Sequence, residues 1–121
     1  VGDLPFHSAD ACRLAAELCQ NEVGMAAHAL GWPDIYQITA RKGRHLGRIR
    51  WRNPYRNYYN AAADDPGWAR MIALGAATVL DSGPHLKNVY YCMTPLGIAA
   101  VRARLRAAID AQRAASEARD D

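Results

Sequence analysis

Val89-Tyr90-Tyr91-Cys92-Met93-Thr94-Pro95-Leu96-Gly97 is the stretch whose reading decides the fold. Its first five residues are β-branched, aromatic or apolar, the composition of a strand. Thr94-Pro95 then marks a helix start, because a threonine side chain accepts a free N–H of the first turn and proline suits the first helical position. Beyond it, Ile98, Val101, Leu105, Ala108 and Ile109 recur on one helical face, with Arg102, Arg104, Arg106 and Arg113 on the others. The pattern predicts a strand running directly into a long amphipathic helix, followed by a polar tail over 113–121 that frays.

Working upstream, Ala77-Thr78-Val79-Leu80 reads as the partner strand across the polar loop Asp81–Asn88. Asp64-Asp65-Pro66 predicts a short helix over 66–74, with Trp68, Met71 and Ile72 on its apolar face and Gly75 at its end. Near the N-terminus, Ser8 and Asp10 offer caps for a run in which Cys12, Ala15, Cys19, Val23, Ala26 and Leu30 share one face. This predicts one long helix over 10–30, stopped by Gly31-Trp32-Pro33. Gly24 falls in its middle, at a cost of about 1 kcal/mol against alanine, and marks either close packing or a bend.

Between these helices the period changes to two. Ile35-Tyr36-Gln37-Ile38-Thr39 and His45–Trp51 alternate around a Lys42-Gly43 turn, which predicts a hairpin. Its second strand would set Leu46, Arg48, Arg50 and Arg52 on one face. Asn53-Pro54 breaks that strand and leaves Tyr55-Arg56-Asn57-Tyr58-Tyr59-Asn60 as a polar-aromatic stretch, in which Arg56-Asn57-Tyr58-Tyr59 is either a clamp for a base or a phosphate or, the favoured reading, a structural corner with tyrosines in the core and Arg56 paired to Asp64 or Asp65. A chain of 121 residues, half of them apolar, suits a single core. The expected fold is therefore one α+β domain over 1–121: long N-terminal helix, basic hairpin, short helix, two-stranded wing, long C-terminal helix.

The segment Trp68–Val101 resembles the second half of a winged-helix domain, and Tyr91-x-x-Thr94-x-x-Gly97 is similar to the wing-to-helix motif of MarR- and PadR-type regulators. Thr94 would cap the last helix, and Gly97 would let its first turn lie against the sheet. More loosely, Ala29-Leu30-Gly31, Tyr55–Tyr59, Asp65 with Trp68, Leu74-Gly75 and the final Thr-x-x-Gly resemble small uncharacterised proteins of bacteriophages and prophages, which keep the wing without a regular helix-turn-helix. That resemblance implies a phage or prophage setting in a host bacterial cell.

Charge points to where a partner would bind. Between Ile35 and Ala63 there is no Asp or Glu, yet Arg41, Lys42, Arg44, Arg48, Arg50, Arg52 and Arg56 fall there, so the formal +3 divides into +7 in this segment and −4 elsewhere. Half of the ten aromatic residues, Trp51 among them, share the segment. Cations displace the counterions of a phosphate backbone and flat rings stack on bases, so the pattern suits nucleic acid. The helix before the wing would ordinarily read bases, but it offers only Arg70 and begins with two aspartates that phosphates repel. The expected contact face is therefore Arg41, Lys42, Arg44, Arg48, Arg50 and Arg52, with Arg56, Trp51 and Lys87 beside it, gripping the backbone with low sequence specificity. The competing class is a protein-binding module: a phage protein docking on an acidic host protein or defence complex in the manner of an anti-CRISPR inhibitor, or a virion or assembly component. Homodimerisation through the first and last helices suits either reading.

Catalysis has no sequence support, since there is no Gly-rich phosphate loop, nucleophile elbow or HExxH pair. No cofactor or metal is expected: Cys12, Cys19 and Cys92 lack C-x-x-C spacing and read as reduced core thiols, and the four histidines form no ligand pair. With no apolar run near the ~20 residues of a membrane span and no hydrophobic signal segment, the expectation is a cytoplasmic protein.

Overall fold

The computed structural model describes residues 7–33, 35, 38, 56–81 and 87–119. In chain order they form α1 (Ser8–Glu17), α2 (Gln20–Leu30), β1 (Tyr59–Ala62), α3 (Pro66–Ala73), β2 (Ala77–Asp81), β3 (Asn88–Met93) and α4 (Pro95–Arg119). The three strands make one antiparallel sheet in the order β1-β3-β2, with Tyr59 opposite Tyr91 and Ala77 opposite Met93. This is an α+β domain with a winged-helix-like layout: β2 and β3 are the wing, and α4 closes the structure. Among the described residues a single eight-residue helix separates β1 from β2.

The junction of β3 with α4 is built as its composition predicts. Thr94 Oγ1 accepts the Gly97 N–H at 3.1 Å and donates to the Gly75 carbonyl at 2.7 Å, while the Thr94 N–H donates to the Ala76 carbonyl at 3.0 Å. A Cβ on Gly97 would overlap the Ala76 carbonyl oxygen outright and come within 2.8 Å of Met93 Cε. Gly75, with φ +82°, supplies the left-handed turn that delivers Ala76 to this contact.

Behind the sheet, Trp68 of α3 is fully buried and stacks on Tyr91, with ring centroids 5.0 Å apart and planes 10° from parallel. Tyr59 packs on Trp68 at 5.3 Å, and the Tyr91 hydroxyl donates to the Ala62 carbonyl at 2.7 Å. Truncating such an aromatic anchor to alanine costs about 3–5 kcal/mol. Asp65 accepts the Trp68 N–H at 3.0 Å and Pro66 occupies the first turn, so the predicted cap of α3 is the one that forms. Val23, Ala26, Leu30, Met71, Val101 and Leu105 complete one hydrophobic core.

Several expectations are corrected. The first helix is two helices: Leu18 leaves the helical region with ψ 131°, and Cys19 caps α2 in a capping box, its N–H donating to the Glu22 carboxylate at 2.8 Å. Of the residues predicted as the first hairpin strand, Ile35 and Ile38 are helical, and Ile38 is buried in the core, three residues on from Ile35 as helical packing requires. The rest of that hairpin lies outside the described residues. A strand forms at Tyr59–Ala62, where an alanine run gave no strand signal, because β3 supplies its hydrogen-bonding partner. The expected frayed end is helical to Arg119. Cys12 and Cys19 are exposed and Cys92 half-buried: Cys12 lies off the buried Ala11-Leu14-Ala15 face of α1, Cys19 caps α2 at the break, and Cys92 alternates with the buried Tyr91 and Met93 of β3. Gly24 marks neither close packing nor a bend, because a Cβ there would meet nothing within 4 Å and α2 continues through it.

Two glycine substitutions are expected to move stability in opposite directions. Gly97→Ala should destabilise by about 3 kcal/mol or more, since the obstruction is backbone and cannot rotate away. Gly24→Ala should stabilise by up to about 1 kcal/mol, as helix propensity rises with no steric penalty. Urea denaturation read by circular dichroism checks both.

Candidate nucleic-acid interface

Three arginines of the described structure, Arg56, Arg70 and Arg104, serve helix ends. Arg104 of α4 donates to the Ala15 carbonyl at 2.7 Å and also to that of Leu18, closing the C-terminal turn of α1. Arg70 of α3 donates to the Glu17 carbonyl at 2.9 Å and pairs with the Glu22 carboxylate. Arg56 reaches the His28 carbonyl, at 2.6 Å from Nη2 and 3.1 Å from Nε, near the C-terminus of α2. Each places a positive charge where the unpaired carbonyls of a helix end accumulate negative potential. Arg102 lies over the Trp32 ring, 5.3 Å from its centroid, and Arg13 pairs with Asp10 on α1.

This removes two residues from simple roles. Arg70, the one cation of α3, faces Glu22 and the end of α1 rather than a groove-reading direction. Arg56 does not pair with Asp64 or Asp65 as expected; it reaches the His28 carbonyl, which also accepts the Gly31 N–H at 3.2 Å. Beside it, Asn57 imitates a strand residue: its Nδ2 donates to the Met93 carbonyl at 2.9 Å and its Oδ1 accepts the Met93 N–H at 2.8 Å. The Tyr58 N–H donates to the Ala29 carbonyl at 3.3 Å. Arg56, Asn57 and Tyr58 thus pin the chain where it returns from the acid-free segment to the end of α2 and the start of β1.

Arg41, Lys42, Arg44, Arg48, Arg50, Trp51 and Arg52 lie outside the described residues. Lys87 is exposed, and its carbonyl accepts the Ala63 N–H at 3.0 Å. The register separates it from Arg56: Asn57 is bonded to Met93 at one end of β3, whereas Lys87 precedes Asn88 at the other, about 20 Å away at the rise of a strand. The two described members of the expected contact face therefore stand at opposite ends of the sheet.

Between those ends lies Tyr90, which the sequence reading does not assign to contact, beside Tyr58 of the Arg56-Asn57-Tyr58-Tyr59 corner, for which it sets a base or phosphate clamp against a structural role. Tyr58 and Tyr90 are 50% and 40% exposed on the outer face of the sheet, paired edge to face with centroids 5.9 Å apart. Asn88 donates to Asn60 at 3.0 Å on the same face. The signal was the alternation of β3, which sends Tyr90 outward and Tyr91 inward.

Among the described residues no three His, Cys, Asp or Glu side chains gather closely enough to hold a metal, and no described helix is long and apolar enough to cross a membrane. Burial raises the Cys92 thiol above its usual value and works against a thiolate there. Burial, with Asp65 and Asp64 nearby, also raises the Tyr91 phenol, which stays a neutral donor. Comparisons with protein-family models, with curated proteins and with solved structures return no match. The class defined by the coordinates is thus the fold alone, an α+β domain of winged-helix-like layout.

Glu22 is buried, which acts to raise its carboxyl, but hydrogen bonds from Arg70 and from the Cys19 backbone and side chain prevail and hold it below the ordinary value. Arg70 is correspondingly raised, chiefly by its hydrogen bond to Glu22. Because folding lowers the Glu22 pKa, the stability it contributes is complete above the ordinary value of 4.5 and is lost as pH falls through the folded value. Glu22→Gln should therefore flatten the acid limb of stability between about pH 5 and pH 2. Urea titrations across that range check this, and identical acid limbs in the two proteins would contradict it.

Proposed function

We propose that this protein is a non-catalytic nucleic-acid-binding protein of phage or prophage setting that grips the phosphate backbone through the acid-free basic segment. One observation carries the reading: seven cations and no carboxylate over the 29 residues from Ile35 to Ala63. Unlike Arg56, Arg70 and Arg104, whose guanidinium groups serve helix ends, the cluster from Arg41 to Arg52 has no acid within its own segment to neutralise it. Two turned-away features support backbone contact over base reading by α3. Arg70 is engaged with Glu22 and Glu17, and Asp64 and Asp65 stand at the start of that helix. The same +7 segment would also attract an acidic protein surface, and the experiment separates the two.

If about four or five of the cations meet phosphates, log affinity falls against log salt with a slope near −4. Raising salt from ~50 to ~200 mM should then weaken binding to random-sequence DNA about 250-fold. Changing Arg48, Arg50 and Arg52 together to Ala should reduce the slope by about 3 and weaken binding similarly on every sequence. Fluorescence anisotropy with labelled duplex and single-stranded DNA reads both quantities. Undetectable binding at ~50 mM salt would remove the nucleic-acid reading and leave the acidic-protein partner. Unchanged binding by the triple variant would move the contact away from this segment.

A further inference from the structure

We propose that the outer face of the sheet, centred on Tyr58 and Tyr90, is a stacking platform for the bases of a single-stranded nucleic acid. The inference rests on the nucleic-acid reading and adds to it the form of the ligand and a second site of contact. Of the aromatic residues that pack around the sheet, Trp68, Tyr91 and Tyr59 go to the core side, where Trp68 and Tyr91 are fully enclosed. Tyr58 and Tyr90 are held outward instead, 50% and 40% exposed, by the pleat of β3 and the pinning of Asn57 to Met93. Their planes cross at 80°, so the pair contact covers at most one face of one ring, and flat surface stays open for a base.

Chemistry around the rings suits bases. Asn60 and Asn88 share one hydrogen bond at 3.0 Å on this face and keep further amide donors and acceptors for base edges. Neither β1 nor β3 contains a carboxylate, and in β2 Asp81 is the register partner of Tyr90. Tyr58 itself belongs to the acid-free segment, six residues after Arg52 in the sequence. Exposed rings with amide side chains beside them, in a stretch of chain rich in cations, suit a single strand, whose bases stack on rings while its phosphates meet cations. A duplex keeps its bases stacked inside and has none to offer two tyrosines.

The test compares Tyr58→Ala, Tyr90→Ala and Tyr90→Phe in the full chain, using a labelled thymidine oligonucleotide of about 16 nucleotides and the matching duplex. Each alanine change should weaken single-strand binding by about five- to 150-fold and leave duplex binding and the salt slope unchanged, since stacking neutralises no phosphate. Tyr90→Phe should bind as the parent does. Photocrosslinking of an iodouracil-substituted strand to the unmodified protein gives a reading independent of variant folding, with adducts expected on Tyr58 or Tyr90. Alanine variants that bind single strands like the parent, or adducts confined to other residues, would overturn the platform while leaving backbone binding intact. No binding of either strand form by the parent protein would instead defeat the underlying reading, and with it the platform. A dimer in solution that Tyr90→Ala dissociates without loss of single-strand binding would reassign the face to self-association.

Discussion

The carbonyl of Ala76 accepts the Thr94 N–H at 3.0 Å, and the first turn of α4 presses against it so closely that position 97 has no room for a side chain. Around this contact Thr94 ties the end of β3 to Gly75 and caps α4, so sheet, α3 and closing helix meet within a few residues. The stack of Trp68 on Tyr91 lies just behind. Because β3 is the middle strand, fixing its end fixes the register on both sides, and β1 inherits a position that its own alanines could not specify.

A second device recurs through the molecule: arginines distant in sequence close the C-terminal turns of helices. Arg104 and Arg70 together hold the end of α1, and Arg56 holds that of α2. Such bonds are charge-assisted and aim at carbonyls that a helix cannot satisfy internally. They also explain the break after Glu17, where Arg104 takes up the Leu18 carbonyl and Glu22 takes up the Cys19 N–H. The consequence for function is subtractive. Outside the acid-free segment, Arg70 and Arg104 are engaged in architecture, and the proposed backbone contact accordingly rests on Arg41 through Arg52.

The described coordinates redistribute the expected site. Arg56 becomes an anchor, Lys87 stands at the opposite end of the sheet from it, and the open ground between is the Tyr58–Tyr90 face. A winged-helix-like layout is thus combined with an α3 whose Arg70 is engaged with Glu22, and Tyr59 and Tyr58, both suggested by the sequence as core residues, divide into a half-buried partner of Trp68 and an exposed ring.

By itself the sequence determined the elements whose signals are local: the capped start of α3 at Asp65-Pro66, the wing strands, and the Thr94-x-x-Gly97 entry into α4. Each depends on groups within about four residues of one another, so spacing suffices to predict it. It also determined the charge division, which is a property of composition. Tertiary structure decided the strand β1 and the helical Ile35 and Ile38, and shared with the local Cys19–Glu22 capping box the break between α1 and α2. The break is held in part by Arg104, 86 residues beyond Leu18, and β1 exists only against β3. Interactions at that separation leave no mark on local periodicity, because the partner that makes a residue helical, extended or exposed is absent from its own neighbourhood in the chain.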